Sequence, residues 1–310
     1  MSKSMPAAVA PVGARRTTAG RVTATARAYF LLTKPRVVEL LLVTTVPSMV
    51  LAAEGLPSVA LVLAVLLGGS MAAGGANTVN CWIERDRDHL MRRTSSRPLP
   101  AGDVDPQSAL VFGLVLEVLA FGWLWATANL LAAALAVGAM LFYVFVYTIW
   151  LKPRTPQNIV IGGAAGAVPA LVGWAAVTGS LAASAWVLFA IVFFWTPPHF
   201  WALSMRYRDD YANAGIPMLP VVKGMRAATR QILAYAVVVV ATSFVLFATS
   251  PVGWIYGVSA GVLGALLVWK AAQLARDADP TRAIKFFVFS NLYLALLFAA
   301  VAVDVLVLSR

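Results

Sequence analysis

Asn80, Glu84 and Asp88 are three oxygen-bearing side chains spaced four residues apart. On a helix the positions i, i+4 and i+8 fall along one stripe. Like-charged oxygens this close repel unless a cation sits among them, and hard oxygens suit Mg2+, which keeps waters and shares its shell with phosphate oxygens. Asn80, Glu84 and Asp88 therefore read as a metal set for Mg2+ carrying a diphosphate. Asp86 points about 200° away from the stripe and is expected to pair with a neighbouring arginine. The competing reading is a solvated loop of local ion pairs, since Arg85 and Arg87 are interleaved. Against it, Asn80 and Glu84 lie where an apolar run is ending, a depth at which ionisable groups usually mark function.

A leaving diphosphate would also need cations as clamps. Candidates recur where apolar runs end: Lys34 and Arg36, Arg93 and Arg97, Lys152, and Arg206. Any one of them also serves as an interfacial anchor. A second dense stretch, Trp195 to Tyr211, holds His199 and Asp210, about three helical turns apart, so the two share a face if the helix holds. Pro197 and Pro198 should bend that helix. A histidine among Trp and Phe is more often a packed ring than a ligand, and His89 reads as an exposed loop residue. Glu117 falls mid-span, where a lone carboxyl is costly; it is structural, a proton carrier or a water-positioning group. Asp304 falls near the far end of the last apolar run and reads as water-facing.

The elements that must position these residues are membrane helices. Hydrophobic residues make up 61% of the 310, charged residues 12%, and the mean hydropathy is +0.82, so lipid is the main solvent. A bilayer core needs about 20 apolar residues per helix. Windows of that kind lie near 37–53, 57–80, 106–127, 130–150, 157–178, 182–204, 228–249, 252–271 and 286–308. The expected fold is an all-α polytopic membrane protein of about nine transmembrane helices. If the spans alternate, 23 of the 24 Lys and Arg residues share one face, and the positive-inside rule makes that face cytoplasmic. The N-terminus is then cytoplasmic and the C-terminus lies on the opposite side. The net charge of +11 accordingly reads as membrane topology, with no nucleic acid as partner.

Residues 1–28 carry Arg15, Arg16, Arg21 and Arg27 without an acid or a signal-length apolar core, and are expected to be a flexible basic arm near anionic lipid. A transit peptide is the alternative. Residues 29–310 read as a single transmembrane domain. Cys81 is the lone cysteine, so no intrachain disulfide forms.

The sequence around these residues resembles the UbiA superfamily of intramembrane prenyltransferases, and within it the protohaem IX farnesyltransferase (haem O synthase) branch. The matching stretches are Thr33 to Arg36, Asn80 through Asp88 to Pro98, Tyr147 to Lys152 with the Gly-rich run to Pro169, and Pro198-His199-Phe200 through Asp210 to Pro220. The superfamily's first motif usually reads Asn-Asp-x-x-Asp-x-x-x-Asp, whereas Cys81 and Glu84 stand at its first two Asp positions here. In the second motif His199 and Arg206 replace acids, which leaves Asp210 in place and puts a complete second Mg2+ shell in doubt.

The resemblance implies a UbiA-like bundle with Mg2+ as cofactor. It implies farnesyl diphosphate and haem B as substrates, and addition of water to give haem O. Catalytic roles would fall to Asn80, Glu84, Asp88, Arg97 and Asp210, diphosphate binding to Lys34, Arg36, Arg93, Arg97, Lys152 and Arg206, and haem binding to His199. It further implies a bacterial plasma membrane location with the site facing the cytoplasm, and contact with haem A synthase or oxidase assembly factors. The rivals are a prenyltransferase of an aromatic quinone precursor, a transporter or channel, and a non-catalytic haem-binding protein. The first has no need of the Pro-His-Phe-Trp stretch. A transporter would carry polar groups at the midplane, and a haem-binding protein would not need the acidic stripe.

Overall fold

The computed structural model describes the backbone of residues 18–308 and, within it, the side chains of residues 23–35, 38 and 43–307. In chain order the helices are α1 (Thr18–Leu32), α2 (Pro35–Ala52), α3 (Val59–Asp88), α4 (Pro106–Thr127) and α5 (Leu130–Leu141), which continues as a π-helical segment (Phe142–Leu151). They are followed by α6 (Asn158–Thr178), α7 (Ala183–Arg206), the short α8 (Arg208–Asn213) and α9 (Leu219–Val222), then α10 (Met225–Thr249), α11 (Trp254–Asp277) and α12 (Pro280–Leu308). Among the described residues eight helices are long and apolar enough to cross a membrane: α3, α4, α5 with its π segment, α6, α7, α10, α11 and α12. The 18-residue α2 precedes them at the position of the first apolar window. The protein is a multi-pass membrane protein.

Its outward surface is apolar, with Leu63, Val118, Trp125, Trp186 and Val288 all exposed, as helices surrounded by hydrocarbon require. Inside, one core gathers α7, α10, α11 and α12 around Trp195, Tyr256, Phe286 and Phe298. A second lies between α3, α4, α5 and α6 around Leu124, Ala132 and Ala175. Helices in lipid associate by close packing rather than by the hydrophobic effect. At the α2–α6 contact a Cβ on Gly173 would lie 2.6 Å from the Thr45 carbonyl oxygen, and the Ser48 hydroxyl donates to Ala170 O at 2.6 Å. α2 can thus dock only on a bare glycine backbone.

Three expectations change. The arm expected to be flexible to residue 28 is helical from Thr18, and residues 1–17 lie outside the described residues. Ala28 and Leu32 are buried with Leu99, Val104 and Ala109, and Tyr29 meets Phe112 edge-on at 5.0 Å. An apolar face with somewhere to pack is what orders this helix. Secondly, α7 runs through Pro197 and Pro198 to Arg206 and breaks at Tyr207, so His199 and Asp210 do not lie on one continuous helix. Thirdly, Asp304 is fully buried. It accepts from the backbone N–H groups of Gly253 and Tyr256, the latter at 3.1 Å. The first turn of α11 has no capping side chain of its own, and a carboxylate from α12 satisfies its orphan donors.

Candidate functional site

The last two turns of α3 carry Asn80, Glu84 and Asp88, all buried, and each has met a different polar or cationic partner. Lys34, the residue before α2, sits in the left-handed region (φ 52°, ψ 62°) and turns its ammonium inward to donate to Asn80 Oδ1 at 2.7 Å. Asn80 Nδ2 donates to the Thr148 hydroxyl at 3.0 Å, and that hydroxyl donates to Tyr143 O at 2.8 Å. Lys152, just past the π-helical segment, forms an ion pair with Glu84. Arg97 Nη1 lies 2.7 Å from Asp88 Oδ2, and the Thr94 hydroxyl donates to Asp88 O at 2.9 Å. These contacts bring the start of α2, the end of α3 and the end of the π segment to one end of the bundle. Asp86 faces away, exposed, with Arg85 at 3.7 Å.

The cations differ electrostatically. Burial opposes charge on Lys152 most strongly, but Glu84, Tyr147 and Tyr211 together outweigh it, so its pKa is raised above the ordinary lysine value. Arg97 behaves alike: burial works against its charge, and Asp88, Cys81 and Glu84 together more than compensate. Lys34 is the exception. Burial lowers its pKa, and Arg97 and Lys152 push in the same direction against Cys81 and Glu84. The pocket is thus over-supplied with positive charge, which suits a polyanion.

The stripe spans about 12 Å along the helix axis, whereas oxygens on one Mg2+ lie about 2 Å from it. Neighbours one turn apart on the stripe are the pairs best placed to share an ion directly. Among the described residues no three His, Cys, Asp or Glu side chains gather into a ready cage. Mg2+ does not ask for one, because it binds through one or two carboxylates plus phosphate oxygens. Asp88 Oδ1 is buried with no hydrogen-bond partner among the described residues, beside the Glu84 carboxylate one turn away. An orphaned hard oxygen next to a carboxylate fits a divalent cation.

The sequence-derived cations separate into two groups. Lys34, Arg97 and Lys152 join the stripe. Arg93 and Arg206 instead line a separate cavity of about 410 Å3, together with Arg92, Tyr207, Asp209 and Asp210. There Asp210 Oδ2 accepts from the Arg93 backbone N–H at 3.3 Å, and Arg93 Nη2 donates to the Tyr211 hydroxyl at 3.3 Å, so the loops after α3 and α7 meet. The side chain of Arg36 lies outside the described residues. His199 is a tightly packed ring: Trp195 and Phe287 stack on it with centroids at 4.2 and 4.3 Å, and Nδ1 is 2.8 Å from the Ser290 hydroxyl. Glu117 is buried against Gly75, where an added Cβ would come within 2.9 Å of its Oε1.

Two partners of the site went unassigned from sequence, Thr148 and the stacked pair Tyr143 and Tyr147, with ring centroids 5.5 Å apart. The aromatic run ending in Lys152 was their signal. A π-helix widens the backbone ladder by one residue and is frequent at functional sites. Here it aims Thr148 and Lys152 at the same stretch of α3. Lys152 Nζ lies 5.7 Å from the Tyr147 ring centroid, and Gly162 makes room for that ring, since a Cβ there would lie 2.2 Å from Tyr147 Cδ2.

The profile of the UbiA prenyltransferase family matches residues 41–297. The chain belongs to this family. Among its UbiA relatives is the Protoheme IX farnesyltransferase of Mycobacterium tuberculosis, 52% identical over 297 residues, which cover 94% of the chain and 95% of that protein. Another, from Mycolicibacterium smegmatis and bearing the same name, is 51% identical over 287 residues, 92% of each chain. The similarity therefore runs well past the motif-bearing stretches. Among solved structures, a digeranylgeranylglyceryl phosphate synthase superposes with a TM-score of 0.74 at 18% identity, covering 91% of this chain and 98% of the other. A UbiA homologue from Archaeoglobus fulgidus bound to GPP and Mg2+ gives 0.61 at 18% identity, covering 89% and 99%. At these identities the likeness carries the UbiA fold alone.

Proposed function

We propose that the chain transfers the farnesyl group of farnesyl diphosphate to a vinyl group of protohaem IX (haem B), with addition of water, giving haem O for terminal oxidases. The observation that carries this reading is the buried cluster at one end of the bundle, Lys34 with Asn80, Lys152 with Glu84 and Arg97 with Asp88. It is a seat for a polyanion at the rim of an apolar helix bundle, in a chain about half identical to relatives named for this reaction. The diphosphate sits among Lys34, Arg97 and Lys152, with Arg36 assigned the same role from its place in the motif alone. Mg2+ held by Glu84 and Asp88, with Asn80 next along the stripe, would supply a Lewis acid for the charge developing on the leaving diphosphate.

In the reaction the farnesyl C1–O bond breaks and its electron pair leaves with the diphosphate. The terminal vinyl carbon bonds to C1, and the cation left on the inner vinyl carbon takes the oxygen of water, which releases a proton. The chain's own residues act by position. Lys34, Lys152 and Arg97 hold the leaving group, and they are preorganised, because each is already fixed by a partner on α3. The aromatic faces of Tyr143 and Tyr147 border the same space. Asp210 fixes the loop carrying Arg93. His199 is the haem-orienting residue; axial ligation uses the plane of an imidazole rather than its faces, so a ring clamped between Trp195 and Phe287 is already set in one plane.

The orientation proposed has nine spans counting α2, the N-terminus and the site on the cytoplasmic side of a bacterial plasma membrane, the C-terminus opposite, and residues 29–310 as one domain behind a basic N-terminal segment. It rests on the charge asymmetry of the loops. Haem A synthase or oxidase assembly factors are the proposed recipients of the product. The deciding experiment incubates the purified full-length protein with haem B, farnesyl diphosphate and Mg2+ and weighs the extracted haem. The expected product is heavier by one farnesyl group and one hydroxyl group. Unchanged haem, or equal product from Glu84→Ala and Asp88→Ala variants, would sink the assignment.

A further inference from the structure

A second charged cavity adjoins the diphosphate seat, and Tyr211, which holds Arg93, also acts on Lys152. Arg92 and Arg93 from the loop after α3, and Arg206 with Tyr207 at the end of α7, surround about 410 Å3, and none of Lys34, Arg97 or Lys152 lines it. Three guanidiniums face two carboxylates. The carboxylates are partly turned elsewhere: Asp210 accepts from the Arg93 backbone N–H, and Asp209, exposed, approaches Arg208 at 3.9 Å outside the cavity. Among the described residues no ion pair joins Arg92, Arg93 or Arg206 to an acid. Arg93 is held in place by the Tyr211 hydroxyl and lies over Tyr207, with 5.5 Å from its guanidinium carbon to that ring's centroid. The cavity thus presents unspent planar forks, the geometry that recognises carboxylates in pairs.

We propose that this cavity is the subsite for the two carboxylates of the second substrate, which under the proposed function are the haem propionates. The inference rests on that function for the identity of the acid. It divides the two anionic substrates between two sets of cations: the diphosphate on Lys34, Lys152 and Arg97, the propionates on Arg92, Arg93 and Arg206. The division has a physical motive. Two polyanions on one set of cations would repel and compete, whereas separate seats let both bind while the vinyl edge of the macrocycle, away from its acids, reaches the farnesyl C1. The cavity is too small for a macrocycle and takes only its acid-bearing edge. Its place at the end of α7 also suits His199, two turns earlier on the same helix, about 10 Å along the axis.

The test uses the full-length protein and two forms of the acceptor, protohaem and its dimethyl ester, with Arg92→Gln and Arg206→Gln variants. The expected result is a KM for protohaem raised on the order of tenfold by either substitution, the loss of one charge-assisted contact. The KM for farnesyl diphosphate stays put. The wild type handles the ester at least as poorly as the variants handle the acid, because the ester loses every charged contact, and the substitutions cost nothing further on the ester. A variant that raises the KM for farnesyl diphosphate while leaving that for haem alone would overturn the subsite, as would a wild type indifferent to esterification. Should the wild type farnesylate no haem at all, the proposed function fails on its own. The subsite is then read by titrating protein with acid and ester and following the Soret band, and equal affinities would overturn it.

Discussion

The ammonium of Lys152 and the carboxylate of Glu84 meet as a buried ion pair between the end of the π-helical segment and the penultimate turn of α3. Breaking such a pair from one side strands a charge, which costs about 3–5 kcal/mol, while removing both partners together is often neutral. Lys152→Met should therefore lower thermal stability in detergent sharply. Lys152→Met combined with Glu84→Gln should recover most of it and still make no product. A double variant as unstable as the single one would mean that the pair is not the reason the two helices meet.

Gly162 gives the Tyr147 ring its seat, and Gly166, one turn on, has nothing within 4 Å of an added Cβ. Gly162→Ala should displace Tyr147 from beside Lys152 and cut turnover by at least about tenfold, a figure in keeping with the cost of misplacing a positioning group. Gly166→Ala should be silent. Equal activity of the two variants would separate Tyr147 from the reaction.

What was legible in the sequence follows from what each signal measures. Hydropathy windows located every long helix because lipid solvation is read along a single element. The stripe of Asn80, Glu84 and Asp88 was legible because helical spacing is local. Its partners were not, since Lys34, Thr148 and Lys152 reach it only once α2, α3 and the π segment pack together. The π-helix itself was hidden, because an aromatic run favours it no more than an α-helix. The break at Tyr207 defeated the assumption that α7 continues, and with it the shared face of His199 and Asp210.

Asp304 was misread for a similar reason: hydropathy places it near an end of α12, yet the donors it serves belong to α11. Asp304→Ala would leave a buried backbone N–H at Tyr256 and a partly buried one at Gly253 without an acceptor, at about 1–3 kcal/mol for the buried donor and less for the other. Asp304→Asn keeps one acceptor oxygen and should lie between wild type and Ala. Thermal unfolding of the three proteins gives the order, and an Ala variant as stable as wild type would make the capping contact dispensable. Activity per folded molecule should not change, because the contact is remote from the charged end of the bundle.

Lys34 combines a functional and a conformational constraint that substitution can pull apart. Its backbone is left-handed, which costs a residue with a Cβ about 1–2 kcal/mol and costs glycine nothing, while its ammonium reaches Asn80 Oδ1. Lys34→Ala should lose the ammonium and keep the strain; Lys34→Gly should lose the ammonium and shed the strain. Both variants should raise the KM for farnesyl diphosphate, since each removes the same cation from its proposed seat. They should nonetheless differ in stability by about 1 kcal/mol in favour of Gly. Unfolding midpoints that coincide would show that the turn before α2 relaxes freely. A glycine variant with an unchanged KM would remove Lys34 from diphosphate binding and leave its inward turn as packing.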